Sequence, residues 1–552
     1  MFNFTKLFVS RATPQHEPRS GEAQDEKRER EALEPTGSTQ VAIDDWTRLD
    51  RFLVLGSEGG TFHVAERKLA IENAEAARRC IAEDGVRAVA RIAEVSDAGR
   101  AARNDPAIFA LAMAAKLGDE ATRRAAYAAL PRVCRIATHL MHFADYAQGF
   151  GGWGRGMRTA VGAWFNARPA AELAIQLATY QSRDGWSNRD LLRLAHPRAA
   201  SPSHDRLFAW VVKGELPDTA AGDPALSLIV AIRELAGTTD VATAARLIRD
   251  ARIPRECVPA ELLGHAAIWD ALVDTMPTTA LLSNLATMTR VGLIAPGAAA
   301  TQQIADRLCD VPRLAAARVH PIAVLSALTT YQSGRGVRGG GMWAPVAAIC
   351  DALDATFYAS FGQVEPTGKR MLLALDVSGS MAAGAIAGIP NLTPRVGSAA
   401  MALVTAATER AAMFVAFTAA AGGYGGQWGG GTPGITTLSI SPRQRLDDAV
   451  AEVGKLPMGG TDCALPMLWA QHNRVDVDTF CIYTDNETWA GNVHPAQALR
   501  AYRDARGIPA KLVVVGMTSE GFRIADPDDA GMLDVVGFDT ATPPVIADFA
   551  RA

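Results

Sequence analysis

At Gly368 the texture of the chain changes, and that change limits the folds open to it. Downstream, the run Met371-Leu372-Leu373-Ala374-Leu375 is apolar at every position and closes on Asp376. A strand with no polar alternation is buried on both faces, which places it inside a parallel sheet covered by helices. Further runs, Ala412 to Phe417, Thr479 to Thr484 and Lys511 to Gly516, alternate with helical segments such as Asp447 to Lys455 and Pro495 to Ala505. That alternation predicts parallel strands joined by crossovers. Upstream, from about Val64 to Ala359, apolar residues recur at i, i+3 and i+4 with breaks at Gly or Pro. Candidate helices are Lys68 to Ala82, Arg87 to Arg100, Asp105 to Leu117, Thr122 to Leu130, Ala170 to Gln181, Leu226 to Ala236, Val241 to Asp250 and Ile322 to Gln332. Many short helices with few strands predict a solenoid of helix pairs, each burying its apolar face on the next.

A chain of 552 residues exceeds one ordinary core. The divisions read from texture are a charged tail over 1–44, a helical-repeat domain over 45–368 and an α/β domain over 369–552. From His16 to Pro35 the tail mixes charges and has almost nothing to bury, which predicts disorder. Lys6 and Arg11 without an acid faintly suggest a transit peptide, but Leu7-Phe8-Val9 is too short for a secretory core, so an untargeted tail is expected. The seven cysteines hold no C-x-x-C pair and read as reduced thiols of a cytoplasmic protein. No apolar stretch approaches the roughly 18 residues that span a bilayer, so no membrane partner is expected.

The apolar run ends in Asp376-Val377-Ser378-Gly379-Ser380-Met381, which puts a carboxylate and two hydroxyls on the loop leaving a buried strand. Hard divalent ions such as Mg2+ take oxygen ligands and keep some water, a need that such a loop meets. Gly459-Gly460-Thr461-Asp462 offers another hydroxyl on a glycine turn, and Phe480-Cys481-Ile482-Tyr483-Thr484-Asp485 is a second apolar strand ending in an acid. In open α/β sheets ligands sit beyond the carboxyl ends of the strands, where Asp376 and Asp485 both fall. The combination resembles the metal-ion-dependent adhesion site of von Willebrand factor A domains. By that resemblance Ser378, Ser380 and Thr461 touch a Mg2+ or Mn2+ ion directly, and Asp376 and Asp485 hold it mainly through water.

Charge is segregated. The chain carries a net charge of -4, and residues from 370 onward hold 13 Lys and Arg against 18 Asp and Glu, so the rest has a slight basic excess. A global sign of nucleic-acid binding is therefore absent, and any such surface must be local. Residues 151–200 carry seven arginines, Arg155, Arg158, Arg168, Arg183, Arg189, Arg193 and Arg198, against Glu172, Asp184 and Asp190. Residues 311–350 carry Arg313, Arg318, Arg335 and Arg338 with no acid. The two segments also hold Trp153, Trp164, Tyr180, Trp186, His196, Tyr331 and Trp343. Arginine with interleaved aromatics suits phosphates and unpaired bases, while a solvated helix face over core aromatics gives the same composition.

Longer words carry a second resemblance. Gly56-Ser57-Glu58-Gly59-Gly60-Thr61, Cys134-Arg135-Ile136-Ala137-Thr138-His139-Leu140, Gly185-Trp186-Ser187 with Asp190-Leu191-Leu192-Arg193-Leu194, Met276-Pro277 with Thr279-Ala280-Leu281-Leu282, and Glu365-Pro366-Thr367-Gly368-Lys369-Arg370 are similar to the TROVE module. Gly459 to Cys463, Thr484-Asp485-Asn486-Glu487-Thr488 and Ile524 to Asp529 are similar to its attached von Willebrand domain. From about Leu49 to Asp548 the chain resembles the Ro ribonucleoprotein autoantigen family and its bacterial counterparts. The resemblance implies an all-α ring of HEAT-like repeats plus a Rossmann-like von Willebrand factor A domain. It also implies a basic hole that takes single-stranded RNA ends, an outer basic face for Y RNA, and a role as a non-catalytic scaffold in RNA quality control. An exoribonuclease tethered through RNA is the implied protein partner, and a monomer is expected.

Of the family's RNA-contacting positions, the arginine before Gly-Trp-Ser falls on Arg183 and the histidine closing the following helix falls on His196. A family lysine falls on Thr179, and the residue after Gly-Trp-Ser, often histidine, is Asn188; Arg189, Arg193 and Arg198 are expected to restore charge. With Arg155 and Arg158 these complete the expected RNA site. A Gly-rich loop, Ala421 to Gly434, is longer than the family pattern. Two rival functions share the metal site: a metal-dependent adaptor completed by a partner's acid, and a Mg2+-dependent ribonuclease. Nucleases of that kind typically hold two ions about 4 Å apart on several carboxylates, whereas hydroxyls dominate here. Gly334-x-Gly336-x-x-Gly339 matches a dinucleotide fingerprint as text but follows a helical pattern rather than a strand. His139 and His142, or His196 and His204, lack the Cys or carboxylate spacing of a zinc site.

Overall fold

The computed structural model describes residues 43–552 apart from 59, 65–68, 70–73, 100, 102, 217–221, 338–339, 419–433, 457–458, 486–490 and 519–523. The charged tail, nearly all of the Gly-rich loop, Arg338 and the Asn486-Glu487-Thr488 triplet therefore lie outside the described residues.

The amino-terminal half is helical from Asp45–Leu55 through Ala347–Ala359. Helix Asp105–Leu117 begins after Asn104 and ends at Gly118, as its periodicity requires. The two helices expected between Lys68 and Arg100 are one bent element, Glu75–Ala98, whose break falls at Asp84 with φ -146°. The buried stripe runs through the break, from Ala77 and Ile81 to Gly85, Val89 and Ala93. In the first half of the repeats the core gathers Phe52, Phe109, Phe143, Trp164 and Phe165.

Seven strands form the large sheet, in the order β1 (Thr61–His63), β9 (Met532–Val536), β8 (Lys511–Gly516), β7 (Thr479–Thr484), β4 (Met371–Asp376), β5 (Ala412–Phe417) and β6 (Ile435–Leu438); β2 (Ser182–Arg183) and β3 (Trp186–Ser187) make a separate hairpin. The four apolar runs are the four central strands, and all six residues of β4 are buried. The sheet is mixed rather than wholly parallel, because β6 runs antiparallel to β5 at one edge. At the other edge it takes β1 from outside 369–552, with Thr61 opposite Asp534.

Burial on both faces explains why β4 shows no alternation. Leu373 and Leu375 share one core with Val513, Val515 and Phe538 and with the second half of the repeats, including Trp269, Leu285, Tyr331 and Phe357. Leu372 and Ala374 face the other way, among Phe480, Ile482, Leu512 and the helical residues Leu499 and Tyr502. One apolar core thus runs from the later helices into the sheet.

The first helix closes the chain on itself. Leu49 and Phe52 pack into the early repeats, while Arg51, only 8% exposed, reaches across to the strand-edge loop. Its guanidinium donates to the carbonyls of Asp529 at 2.7 Å and Met532 at 3.2 Å. Burial draws its pKa down to about 10, and the carbonyls supply the partners that a buried charge requires. Arg48 pairs with Asp528 at 2.8 Å, and beneath them Arg503 and Asp529 form a buried ion pair at 2.5 Å.

Candidate metal centre and nucleic-acid interface

Asp376 ends β4 with no exposed surface. One carboxylate oxygen accepts the Ser378 amide at 2.7 Å; the other accepts the Thr461 hydroxyl at 3.0 Å and the Thr484 hydroxyl at 2.8 Å. These partners come from residues 85 and 108 positions away, brought together because β7 lies beside β4. The Ser378 and Ser380 hydroxyls stand 3.1 Å apart, with Ser378 buried and Ser380 exposed to solvent. Burial pushes the Asp376 pKa up to about 6, against the lowering effect of its hydrogen bonds. Among the described residues this carboxylate has no positive neighbour acting on it, and a cation would supply one.

Asp485 lies just beyond β7, 9% exposed, and its carboxylate takes no hydrogen bond from the described residues. The structure thus gathers Asp376, Ser378, Ser380 and Thr461 around linked hydrogen bonds and puts Asp485 at the same end of the sheet. One contributor, Thr484, and a buried acid next to Thr461 in the chain escaped the sequence. Thr484 sits one position before the expected acid. Asp462, 8% exposed and raised in pKa by burial, is held by the Ala464 amide at 3.0 Å and lies against Gly491. At Gly491 φ is +93° and an added Cβ would fall 2.4 Å from the Asp462 carboxylate, so a side chain there would displace it. Among the described residues no group of three or more His, Cys, Asp and Glu side chains is placed to hold an ion by itself. Hydroxyls would have to take part.

The basic segment presents its charges outward. Arg155, Arg158, Arg183, Arg189, Arg193, His196 and Arg198 are all exposed. The β2–β3 hairpin turns through Asp184 at φ +52° and Gly185 at φ +78° and delivers the chain to helix Asn188–Ala195. A capping box starts that helix, with Ser187 and Asp190 serving each other. Arg189 and Arg193, one turn apart, share its outer side. His196 closes it in the left-handed conformation, φ +45°. The neighbouring helix, Arg155–Asn166, comes close enough that a Cβ on Gly162 would meet Pro197 at 3.1 Å.

Two of the three acids of this segment have close partners. Asp190 serves the cap, and Asp184 contacts both His142, itself 3.7 Å from Asp105, and Arg183 at 3.7 Å. Trp153 and Trp186 pack with centroids 5.6 Å apart, and the Trp153 indole N–H finds no acceptor among the described residues. Trp164, by contrast, is core: its N–H donates to the Cys134 carbonyl at 2.5 Å, and Arg168 stacks on it at 4.2 Å. Asn188 is buried, donating to the Tyr180 carbonyl at 2.6 Å; it braces the hairpin rather than facing solvent. In the second basic segment Arg313 pairs with Asp310 at 3.2 Å. The glycine triplet opening at Gly334 follows helix Pro321–Gln332, not a strand. His204 is buried, its ring bonded to Ser201 and to the Arg168 carbonyl.

The profile of the TROVE domain matches residues 33–215 and 233–333, and that of the Ro60 vWA domain matches 370–550. An RNA-binding protein RO60 of Deinococcus radiodurans is 41% identical over 526 residues, covering 95% of this chain and 96% of that protein. This chain belongs to the Ro60 family. The RNA-binding protein RO60 of Caenorhabditis elegans is 34% identical over 589 residues, covering 93% of this chain and 89% of the relative. The crystal structure of the Deinococcus radiodurans RO (RSR) protein superposes with a TM-score of 0.84, covering 92% of this chain and 99% of that one. The family's two parts, a TROVE helical region and a vWA domain, are thus both present, in the order expected from the texture change at Gly368.

Proposed function

We propose that this Ro60-family chain is a non-catalytic RNA-binding protein. Structured, Y RNA-like molecules bind on the outer face around Arg183, Arg189, Arg193 and His196, and single-stranded RNA ends enter the closed helical ring. The observation that carries the reading is the outward array of seven basic side chains, of which only Arg183, 3.7 Å from Asp184, contacts a carboxylate among the described residues. Guanidinium groups in that setting neutralise phosphates, and release of counterions drives association. The names of the two relatives point the same way. The protein acts as a scaffold in quality control of non-coding RNA, with an exoribonuclease as an RNA-tethered partner.

The donor set around Asp376 fits a hard divalent ion. Ser378, Ser380 and Thr461 would ligate Mg2+ or Mn2+, and Asp376 and Asp485 would orient its water, supplying charge rather than hydrolytic chemistry. Sequencing the RNA that co-purifies with the full chain tests the functional reading, and affinity for a stem with and without an unpaired 3′ tail tests the ring. Enrichment of structured non-coding RNA and a preference for the tailed stem are expected. Equal affinity for both, corrected for length, would remove the ring from the account, and Mg2+-dependent RNA cleavage abolished by Asp376→Ala would replace it with an enzyme.

A further inference from the structure

Between helices Thr278–Arg290 and Pro321–Gln332 lies a cavity of about 380 Å³ that belongs neither to the hairpin face nor to the Asp376 cluster. Its walls are largely apolar, Leu282 and Ala327 among them, and its lining also includes Ser283, Ser326 and Thr330. Among the described residues no acid lines it. One wall is aromatic and fixed in place. Trp343 stacks near Tyr331 with centroids 6.2 Å apart and an interplanar angle of 27°, its N–H donates to the Tyr331 carbonyl at 2.8 Å, and the Tyr331 hydroxyl shares a 2.8 Å hydrogen bond with Thr289. Thr540, from the segment after β9, completes the lining, so the cavity adjoins the carboxyl edge of the sheet.

Positive charge stands beside this aromatic wall. Arg290 lies one turn beyond the lining residue Ala286, and its guanidinium is so close to Gly341 that an added Cβ would meet it at 2.8 Å. Arg335 is bridged to Met342, the residue before Trp343. Both arginines are exposed, and neither pairs with a carboxylate among the described residues. Met342 itself is 77% exposed.

We propose that this cavity seats a single base of a single-stranded RNA against Trp343, with Arg290 and Arg335 taking the phosphates on either side. The inference rests on the RNA-binding reading and gives the unpaired strand a specific seat. The volume is at the small end of ligand sites, enough for one planar ring system. A base offers a π-face to the indole and edge groups to the hydroxyls, while its anionic backbone matches the unpaired arginines. An acidic peptide would match the charge but leave the aromatic wall unused.

The test uses the full chain, a short single-stranded oligonucleotide carrying thiouridine, and a blunt hairpin RNA as reference. Trp343→Ala removes the stacking surface, and Ala327→Leu fills the cavity while keeping the Tyr331–Trp343 wall. Each is expected to weaken single-strand binding about 5- to 10-fold, the lower part of the range for loss of one stacked base, and photocrosslinks in the parent should map to peptides containing Met342 and Trp343. Unchanged single-strand affinity in both variants, or crosslinks elsewhere, overturns the pocket while leaving the RNA reading standing, provided the hairpin still binds. If the parent binds neither RNA, the pocket falls together with the broader reading.

Discussion

The Asp376 cluster and the Arg183 hairpin are opposite solutions to placing charge. At the cluster the Asp376 carboxylate is fully buried and satisfied by the Ser378 amide and by hydroxyls distant in sequence, Thr461 from a loop and Thr484 from the adjacent strand. Around the hairpin seven basic side chains stand in solvent, and the backbone of the helix that follows is fixed by a capping box and a left-handed turn. The buried group is costly to disturb and selective in what it can bind; the exposed groups are cheap to change and act as a sum. Stability experiments should therefore report on one region and salt-dependent binding on the other.

The sharpest way to break that contrast is to swap an arginine in each setting. Arg503→Ala strands Asp529 inside the protein and should cost about 3–5 kcal/mol, read as a large fall in melting temperature. Arg193→Ala, on the exposed helix, should change stability by less than about 0.5 kcal/mol. Comparable losses from the two would erase the distinction.

A second prediction concerns the ion. At a hundredfold excess over Kd, Mg2+ should stabilise the sheet domain by about 2.7 kcal/mol, and Asp376→Asn should abolish that increment in a thermal melt while leaving RNA affinity near the parent's. A persistent Mg2+ effect in the variant would move the ion elsewhere.

The pH dependence follows from the raised Asp376 pKa of about 6 against 3.8 for an ordinary aspartate. Without metal the folded state keeps this proton longer than the unfolded chain, so the group favours folding below the ordinary value and that contribution is lost as pH rises through 6. Mg2+ needs the carboxylate, so its stabilising effect should be small at pH 5 and full above pH 7. Melts with and without Mg2+ across that interval check the sign, and an effect that shrinks as pH rises would refute it.

How much of each region was legible follows from the same contrast. The central strands were readable because burial on both faces leaves their inner positions apolar, and the acids at or just beyond the ends of β4 and β7 mark the cluster. β1, only Thr61–His63, is too short to show a period, and β9 is interrupted by Asp534, whose carboxylate is buried accepting the Ile524 and Ala525 amides at 2.9 Å. β6 is a four-residue edge strand with two threonines. Thr484 reads as an ordinary strand residue until β7 is laid beside β4. At the hairpin, composition exposed the charge but not its direction: Trp164 and Tyr331 look like exposed rings beside the arginines and are buried, while Asn188 looks like a surface substitution and is a buried brace.

The most direct test of the central claim is a salt titration of a Y-like stem-loop RNA against the parent and the Arg183→Ala/His196→Ala double variant. The account predicts that log K falls linearly with log salt for the parent, that the variant binds about tenfold more weakly at moderate salt, and that its slope is shallower by roughly one for each phosphate no longer neutralised. Identical affinity and slope for the two proteins would contradict it.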